Sequence, residues 1–417
     1  MSVAVDHLII GGGPAGLTAA SFLKGKSIVL EHGATLGRKL LATGGGRCNL
    51  THDSSAVEMA SLFGKASRFV LPALHAFSPD AIRTFFYAQE VATQVEPEGY
   101  VFPVSQKASD VRDALVRAVR EAGGTMQHSV CVEDFMLETD KEFEAQCIVA
   151  VKTSAGTFLP RHVLLATGGQ SYPALGSDGS GFSLARAAGL EVVEPVPALA
   201  GLFIQSDWVT SLSGILCEQG SIQMDAKGAS KKPLEGPILF THKGISGPPA
   251  LALSGEINAR LLSEDVVTIR VSFRLGRTVN DWMELFTQWR ERHGSRSIHN
   301  LLSGELPRAL AVALCTVSGL SDVVMARAGK KELLALAIQC SECPLRVTGT
   351  EGWERAMLTR GGVALKELNA TTLACRRIRN LYCIGEVVDV DAPCGGYNLT
   401  WAFASGFLAA AAINRIT

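Results

Sequence analysis

Three glycines close to the start of the chain carry the first chemical signal. Gly11, Gly13 and Gly16 fit the spacing GxGxxG and directly follow the apolar residues 7–10. In a strand–turn–helix unit, the first glycine permits a tight turn, the second lets the backbone approach a pyrophosphate, and the third lets the helix pack close to the strand. The unpaired N–H groups at the start of the helix favour phosphate. The spacing therefore predicts a dinucleotide site at this turn.

An acidic residue follows at the separation that the dinucleotide pattern requires. Residues 27–30 are predicted to form a second strand, and Glu31 comes directly after it, where its carboxylate can accept hydrogen bonds from a ribose. A glycine-rich structural turn is the alternative interpretation, and such a turn would not require Glu31. The residues assigned to the cofactor in this region are Gly11, Gly13, Pro14, Ala15, Gly16 and Glu31.

A second glycine-rich segment, residues 37–49, indicates which dinucleotide is bound. A nicotinamide dehydrogenase would usually continue with further parallel strands and helices, whereas this segment combines consecutive glycines with cationic side chains. Such a loop can approach the flavin end of FAD, with its N–H groups and cations facing the pyrophosphate or the reducible ring. A solvated basic surface loop is the alternative. The residues assigned to FAD here are Arg38, Lys39, Gly45, Gly46, Arg47, Cys48 and Asn49.

Two later segments complete a flavoprotein pattern. Residues 163–165 are predicted to form a buried strand ending in a glycine turn, which lets the backbone lie close to the adenosine side of the cofactor. Residues 381–384 form another strand, after which Asp389 can hold the ribityl hydroxyls. A helix over residues 400–413 can then direct its N-terminus at the flavin N1–C2=O locus. The assigned residues are Val130, Ala166, Thr167, Gly168, Gly385, Glu386, Asp389, Gly396, Tyr397, Asn398 and Leu399.

The chain resembles a known flavoprotein family through blocks of residues in a fixed order. It is similar to the YhiN/BaiN group of bacterial FAD oxidoreductases, and the resemblance runs from the first predicted strand to the last predicted helix. One departure is Tyr100, which stands where the family pattern has an arginine. The blocks that carry the resemblance are residues 37–39, 43–49, 166–169, 240–248, 385–389 and 395–398.

The resemblance implies an α/β fold class. We expect a glutathione-reductase-like FAD-binding Rossmann domain, interrupted by an inserted β-rich, barrel-like domain and a small helical domain. Apolar–polar alternation in residues 199–224 and 265–273 is typical of half-buried antiparallel strands, and residues 280–292 show helical periodicity. The predicted FAD-binding domain comprises residues 1–193 and 366–417, the β-rich domain residues 194–278 with a return over 346–365, and the helical subdomain residues 279–345.

The composition indicates a large globular protein whose overall charge is not positive. Of the 417 residues, 47% are hydrophobic and 19% are charged, and the formal net charge is −1. This length suggests more than one domain. No apolar run reaches the roughly 18 residues of a membrane span, so we expect no membrane partner. The ten cysteines show no framework spacing and are predicted to be reduced thiols in a cytoplasmic protein.

The best candidates for chemistry beyond the flavin are Thr241 and His242. They follow the short apolar strand 238–240 and precede glycines and prolines that can direct a hydroxyl and an imidazole into a cleft. A histidine can orient a carbonyl or supply a proton, although a lone histidine often has a structural role. Cys48 is either a proton donor or a small buried residue. Disulfide reductases of this fold carry a second cysteine five positions on, where this chain has Asp53.

Neither a metal nor a second nucleotide domain is predicted. Cys340 and Cys343 form one CxxC pair, which without a second pair or a nearby histidine is poor evidence for zinc. Residues 176–181 are glycine-rich but do not form a complete second GxGxxG followed by an acid. We therefore expect NAD(P)H to visit the substrate cleft as a transient electron donor, with an unidentified donor as the alternative. The sequence leaves the oligomeric state open.

Three hypotheses for the reaction remain open. The favoured one is NAD(P)H-driven reduction of an activated C=C bond, with uridine in 23S ribosomal RNA converted to dihydrouridine. The second is oxidation of a small amine or ketone, or reduction of a steroid-like ene. The third is a non-catalytic FAD-bound RNA-binding factor. An RNA partner needs local cationic surface, and the candidates are Lys227, Lys231, Lys232, Arg270, Arg274, Arg277, Arg290, Arg292, Arg296, Arg376, Arg377 and Arg379.

Overall fold

The chain begins with a strand, a helix, a second strand and a second helix, whereas the four α-helices between residues 279 and 341 follow one another without an intervening strand. The computed structural model describes residues 2–140 and 145–416. The strands are β1 (Ser2–Ile10), β2 (Ser27–Leu30), β3 (Thr51–His52), β4 (Thr93–Val95), β5 (Tyr100–Pro103), β6 (Thr125–Gln127), β7 (Val132–Asp140), β8 (Ala145–Thr153), β9 (Gly156–Leu165), β10 (Val192–Ala198), β11 (Leu202–Ile204), β12 (Leu216–Met224), β13 (Leu234–Thr241), β14 (Gly244–Ser246), β15 (Val267–Ser272), β16 (Cys343–Thr350), β17 (Leu358–Val363) and β18 (Leu381–Cys383). The helices are α1 (Pro14–Phe22), α2 (Arg38–Ala42), α3 (Ala56–Ser61), α4 (Ser67–Ala76), α5 (Pro79–Ala88), α6 (Ala108–Glu121), α7 (Ser180–Ala187), α8 (Asp207–Thr210), α9 (Pro248–Leu261), α10 (Val279–His293), α11 (Ile298–Leu302), α12 (Arg308–Val317), α13 (Lys330–Ser341) and α14 (Tyr397–Ile413).

The first sheet is built around the two long strands β1 and β9. Parallel pairs join β1 to β2 and β9, β2 to β6, and β9 to β18, which gives the order β6-β2-β1-β9-β18. The antiparallel pair β7–β8 joins the first half of β9. Every residue of β2 is buried, as expected for a parallel strand covered on both faces.

The C-terminal helix is held against the start of the chain. α14 packs on α1, and this approach requires Gly406, because a Cβ there would lie 2.4 Å from the carbonyl oxygen of Ala15. The indole Nε1 of Trp401 donates to the carbonyl of Gly385 at 3.0 Å, which ties α14 to the segment after β18. Both ends of the chain therefore contribute to one structure.

The chain divides into two compact units. One unit runs to Val196 and resumes at Leu358, and the other is Pro197–Met357. The first contains the parallel sheet and its own hydrophobic core. The second has a separate core of buried side chains.

The second unit combines a β-barrel with helices. Strands β11 to β16 close in the order β11-β14-β13-β12-β15-β16. Alternate residues of β15, namely Val267, Ile269 and Val271, are buried, so the observed alternation is that of a half-buried strand. The helix α10 begins with a capping box in which Thr278 and Asp281 bond each other's backbone N–H, and its buried aromatic residues join the same core.

The predicted fold class is confirmed, because the chain contains a Rossmann-type parallel sheet, a closed β-barrel and additional helices. The finer domain boundaries stay predictions. The prediction for residues 37–49 was too simple: this segment forms α2 and then a 3-10 turn, Thr43–Gly46, instead of an open loop. Over the described parts of the chain, no helix has both the length and the apolarity needed to cross a bilayer.

Candidate functional site

The predicted cofactor residues follow the carboxyl ends of parallel strands. The N–H of Gly11, directly after β1, donates to the carbonyl of Leu30 in β2 at 2.8 Å. The N–H of Ala166, directly after β9, donates to the carbonyl of Ile10 at 2.8 Å. The three strands therefore deliver their following segments to one edge of the sheet, the edge at which open α/β sheets bind ligands.

Each of the three motif positions holds a glycine for a different structural reason. Gly11 has φ +111°, and a Cβ on it would lie 2.3 Å from the carbonyl oxygen of Ala166. A Cβ on Gly16 would lie 2.1 Å from the carbonyl oxygen of Gly11, so this position needs glycine for close helix–strand packing. A Cβ on Gly13 would meet no protein atom within 4 Å. Gly13 therefore borders open space at the N-terminus of α1, where a phosphate fits.

The carboxylate of Glu31 holds the glycine turn through two backbone hydrogen bonds. It accepts hydrogen bonds from the N–H groups of Gly12 at 3.0 Å and Gly33 at 2.7 Å. The two oxygens of a carboxylate can accept further donors, so these bonds leave capacity for ribose hydroxyls. Val130 lies beside it, with its N–H donating to the carbonyl of Glu31 at 3.0 Å.

Two of the cations in the second segment contact other parts of the protein. The guanidinium of Arg38 donates to the carbonyl of Ala174 at 2.7 Å. Arg47 forms an ion pair with Glu96 at 2.5 Å and lies over the ring of Phe102, 3.9 Å from its centroid. Contacts of these cations with a phosphate or a flavin stay predictions.

Lys39 contacts two side chains that are remote from it in sequence. Its ammonium Nζ lies 2.8 and 3.0 Å from the two carboxylate oxygens of Glu386 and 2.5 Å from the hydroxyl of Ser171. The two charged side chains are largely buried, with exposed fractions of 22% and 18%. The sequence placed Lys39 and Glu386 in the cofactor set but did not indicate that they contact each other.

The turn after α2 meets the start of α14. Glycines 44, 45 and 46 all have positive φ, so this turn requires the glycine run. With its amide oriented to satisfy both groups, the side chain of Asn49 donates to the carbonyl of Thr51 at 3.0 Å and accepts from the N–H of Gly396 at 3.2 Å. The structure therefore brings together two predicted cofactor segments, 43–49 and 396–399.

Side chains in the first turn of α14 contact residues outside the helix. Gly396 is the N-cap residue with φ +85°. Two residues on, the Asn398 amide accepts from the N–H of Ala392 at 3.0 Å and donates to its carbonyl at 2.8 Å. Tyr397 and Leu399 flank Asn398 in the first turn of the helix, and the ring of Tyr397 stacks on His52.

Among the predicted cofactor residues, two buried side-chain oxygen atoms have no hydrogen-bond partner within residues 2–140 and 145–416. One is Oδ1 of Asp389, whose side chain is 5% exposed and whose other oxygen, Oδ2, lies 3.1 Å from the ammonium of Lys65. The other is the hydroxyl of Thr167, which lies next to Gly168 at the end of β9. A buried polar atom without a partner is costly, so both atoms are suited to bind polar groups of a ligand.

These features fit FAD. The open space at Gly13 can take the pyrophosphate, Glu31 can accept from the adenosine ribose, and the orphaned Oδ1 of Asp389 can accept from a ribityl hydroxyl. The individual residue roles stay predictions, since each rests on the geometry of the protein alone.

Cys48 is fully buried and has φ +63°. Burial raises the pKa of its thiol to about 12, although a hydrogen bond with the side chain of Thr43 acts in the opposite direction. The thiol is therefore protonated at neutral pH. This environment is that of a packed thiol, and a catalytic role for Cys48 stays a prediction.

Thr241 and His242 lie in the second unit at the turn between β13 and β14. Thr241 pairs with Gly244, and its hydroxyl accepts from the N–H of Lys243 at 3.4 Å. Gly244 permits this turn, since a Cβ there would lie 2.1 Å from the carbonyl oxygen of Leu202. The imidazole of His242 is exposed. Its catalytic role stays a prediction.

Among the described residues, no group of three or more His, Cys, Asp or Glu side chains is arranged to hold a metal ion. Cys340 and Cys343 are both buried. Burial raises the pKa of the Cys343 thiol to about 12, and this thiol donates to the side-chain oxygen of Gln339 at 3.1 Å. Both cysteines belong to the core of the second unit.

Several candidate RNA-binding cations have acidic partners. Arg270 pairs with Asp225 at 3.0 Å and with Glu342 at 3.3 Å. Arg274 and Arg277 share the carboxylate of Glu305 at 3.6 and 3.0 Å. Since these charges are balanced locally, they provide less free positive surface than the sequence suggested.

Four residues outside the predicted cofactor set form hydrogen bonds with members of it, namely Gly12, Gly33, Ser171 and Thr359. Gly33 follows Glu31 by two positions, so a local turn could have been considered. Ser171 and Thr359 are far from Glu386 along the chain, and no local pattern marks them.

Comparisons with known proteins identify relatives of this chain. A family model described as the HI0933-like protein Rossmann domain matches residues 5–412. A 3-dehydro-bile acid delta(4,6)-reductase of Clostridium scindens is 30% identical, over 96% of this chain and 97% of its own. A ribosomal RNA dihydrouridine synthase of Haemophilus influenzae is 27% identical over 100% of both chains.

A solved structure extends the comparison to the fold. The 3-ketosteroid delta1-dehydrogenase from Sterolibacterium denitrificans matches 99% of this chain and 100% of its own, with a TM-score of 0.52 and 13% identity. At this identity the match shows the shared fold alone. Because the family model and the two relatives span nearly the whole chain, this protein belongs to the HI0933-like family of FAD-dependent oxidoreductases.

Proposed function

We propose that this protein reduces a C=C bond conjugated to a carbonyl group. The observation that carries the proposal is the chemistry shared by the names of two full-length relatives, a delta(4,6)-reductase of a 3-dehydro-bile acid and a dihydrouridine synthase. In both cases the reduced bond is conjugated to a carbonyl group. Hydride adds to the carbon remote from the carbonyl, and a proton completes the neighbouring carbon.

Our first candidate substrate is uridine in 23S ribosomal RNA. Uridine, NAD(P)H and a proton would give dihydrouridine and NAD(P)⁺, with hydride at C6 and the proton at C5. The ribosomal RNA dihydrouridine synthases of Haemophilus influenzae and Escherichia coli, 27% and 28% identical to this chain, support this substrate. We place the reaction in the cytoplasm, where ribosomes and reduced nicotinamides occur together.

Bound FAD would supply the hydride after accepting two electrons from the nicotinamide. The residues of the chain have binding and orienting roles. Gly13 and the N-terminus of α1 bind the pyrophosphate, Glu31 binds the ribose, and Asp389 accepts from the ribityl chain. We assign to His242 the orientation of the substrate carbonyl or the supply of the proton, with Thr241 beside it.

A small steroid-like enone is the second candidate substrate, and two observations favour it. The bile acid reductase is 30% identical to this chain. In addition, Arg270, Arg274 and Arg277, which were expected to form part of an RNA-binding surface, are paired with carboxylates. A neutral or monoanionic ring system needs no extended cationic surface.

The deciding measurement is dihydrouridine in 23S ribosomal RNA, determined by mass spectrometry of digested RNA from cells with and without the gene. We expect the modified nucleoside to disappear on deletion. Wild-type protein should restore it, whereas Gly13→Asp, designed to exclude the pyrophosphate, should not. An unchanged dihydrouridine content would contradict the RNA substrate. Reduction of a steroid dienone by the purified protein with NAD(P)H would then support the second candidate.

A further inference from the structure

We propose that Glu386, Lys39, Ser171 and Thr359 form a clamp that holds the cofactor-binding segments in place and sets the affinity for FAD without touching it. All four residues lie in the unit that contains the parallel sheet. They are positioning residues in this proposal, and Ser171 and Thr359 have no predicted cofactor role. The inference goes beyond the proposed function and holds whichever substrate is reduced.

The carboxylate of Glu386 is the centre of the clamp. Its Oε1 accepts from the ammonium of Lys39 at 3.0 Å, the hydroxyl of Ser171 at 3.2 Å and the N–H of Thr359 at 2.9 Å. Its Oε2 accepts from the same ammonium at 2.8 Å. These contacts occupy most of the acceptor capacity of a carboxylate, which argues for a role within the protein instead of as a direct ligand of FAD.

Thr359 adds a second connection to the segment after β9. Its hydroxyl oxygen accepts from the N–H groups of Gln170 at 2.7 Å and Ser171 at 3.2 Å. Thr359 itself is 1% exposed. The approach is so close that a Cβ on Gly169 would lie 2.2 Å from this oxygen and 3.1 Å from the carboxyl carbon of Glu386. Glycine at 169 is therefore required by the clamp.

The clamp joins segments that are remote in sequence. It connects α2, the segment following β9, the strand β17 and the turn after β18. Three of these segments carry predicted FAD contacts: α2 with Arg38, the β9 end with Thr167 and Gly168, and the β18 end with Gly385. Segments that are already ordered before the ligand arrives lose less conformational entropy on binding. The clamp would therefore strengthen FAD binding through preorganisation.

The test compares Thr359→Val with a matched variant, Thr153→Val. Thr153 is also buried, and its hydroxyl likewise accepts a backbone N–H, that of Ala155 at 3.1 Å. It lies at the β8–β9 turn, at the opposite end of β9 from the site. FAD is removed from each variant, and the apoprotein is refolded. FAD is then titrated into it, and the Kd of the FAD complex is measured by fluorescence. Melting temperatures of the apoproteins are measured alongside.

We expect Thr359→Val to raise the Kd for FAD by about tenfold, since two N–H groups of the site segment lose their acceptor. Thr153→Val should leave the Kd within twofold of wild type, even if it lowers the melting temperature to the same extent. A purely structural role would lower both melting temperatures and leave both Kd values unchanged, and this outcome would overturn the proposal. Equal weakening of FAD binding by both variants would overturn it as well.

A second variant covers the case in which Thr359→Val does not fold. Ser171→Ala removes one donor to Glu386 and leaves the threonine hydroxyl in place. Its Kd for FAD should rise by about threefold, and Thr359→Ser, which keeps the acceptor oxygen, should bind as wild type does. An unchanged Kd in Ser171→Ala would contradict the clamp. None of these measurements involves a substrate, so failure of the clamp and failure of the proposed reaction are distinguishable.

Discussion

Gly13 is a residue at which a substitution can change cofactor binding without disturbing the fold. Its φ of −82° is accessible to any amino acid, and a Cβ there meets no protein atom within 4 Å. Gly13→Asp should therefore fold normally while placing a carboxylate where the pyrophosphate binds. We expect FAD affinity to fall by about 100-fold, measured by titration of the apoprotein.

The control for this variant is Gly123→Asp. Gly123 also has open space around it, but lies after α6, away from the dinucleotide motif. It has φ +79°, so this variant should cost some stability and leave FAD binding unchanged. Equal FAD affinity in Gly13→Asp and wild type would refute the pyrophosphate assignment.

Residue types with a strict geometric requirement could be identified from the sequence. Gly11 and Gly16 are required because a Cβ on them would lie only 2.3 and 2.1 Å from a backbone carbonyl oxygen. Glu31 was identified as an acceptor, yet its bonds to Gly12 and Gly33 show that it also shapes the turn. That second role was invisible because it depends on where two N–H groups point after folding.

Among the secondary-structure elements, the apolar strands could be predicted from the sequence, whereas the helix in the segment after β2 could not. Residues 28–30 and 163–165 are continuous apolar runs, and they form most of the buried strand β2 and the buried C-terminal end of β9. Residues 37–49 contain many glycines, which suggested a loop, but residues 38–42 contain none and form α2. The contacts of Lys39 and Thr359 with Glu386 come from tertiary packing, for which no local pattern exists.

Adjacent strands β1 and β9 place two histidines together, His7 and His162, with ring centroids 5.3 Å apart. Burial is the main cause that lowers the pKa of both histidines, and the pKa of His162 falls to about 4. The charge of Arg161 also lowers both pKa values, whereas the charge of Asp6 raises them. The folded protein therefore binds fewer protons than the unfolded chain below the ordinary histidine pKa of 6.5. The contribution of these histidines to the free energy of unfolding should therefore fall as the pH decreases from 6.5 towards 4.

The variant His162→Phe keeps a ring against Tyr382 and removes one titrating group. Between pH 7 and pH 4.5, its melting temperature should fall less than that of wild type, because one penalty for protonation in the folded state is gone. Scanning calorimetry at several pH values measures the difference. Parallel curves for the two proteins would show that His162 does not contribute to acid sensitivity.

At the scale of the whole molecule, the chain is organised as one unit inserted into another. Residues from both ends build the parallel sheet and the predicted FAD site, whereas Pro197–Met357 forms the barrel and its helices around a separate core. A closed barrel leaves no unpaired sheet edge, and a unit with its own core can fold alone. Residues 197–357 expressed as a fragment should therefore unfold in one cooperative thermal transition.

The same fragment should bind no FAD, because the predicted cofactor residues from Gly11 to Leu399 lie outside it, on both sides in sequence. Full-length protein titrated with FAD under identical conditions is the control. Binding of FAD by the fragment would move the cofactor site into the barrel unit and refute the assignment to the sheet edge. A fragment without cooperative unfolding would show that the barrel depends on the rest of the chain, and its separate core would then be insufficient for folding.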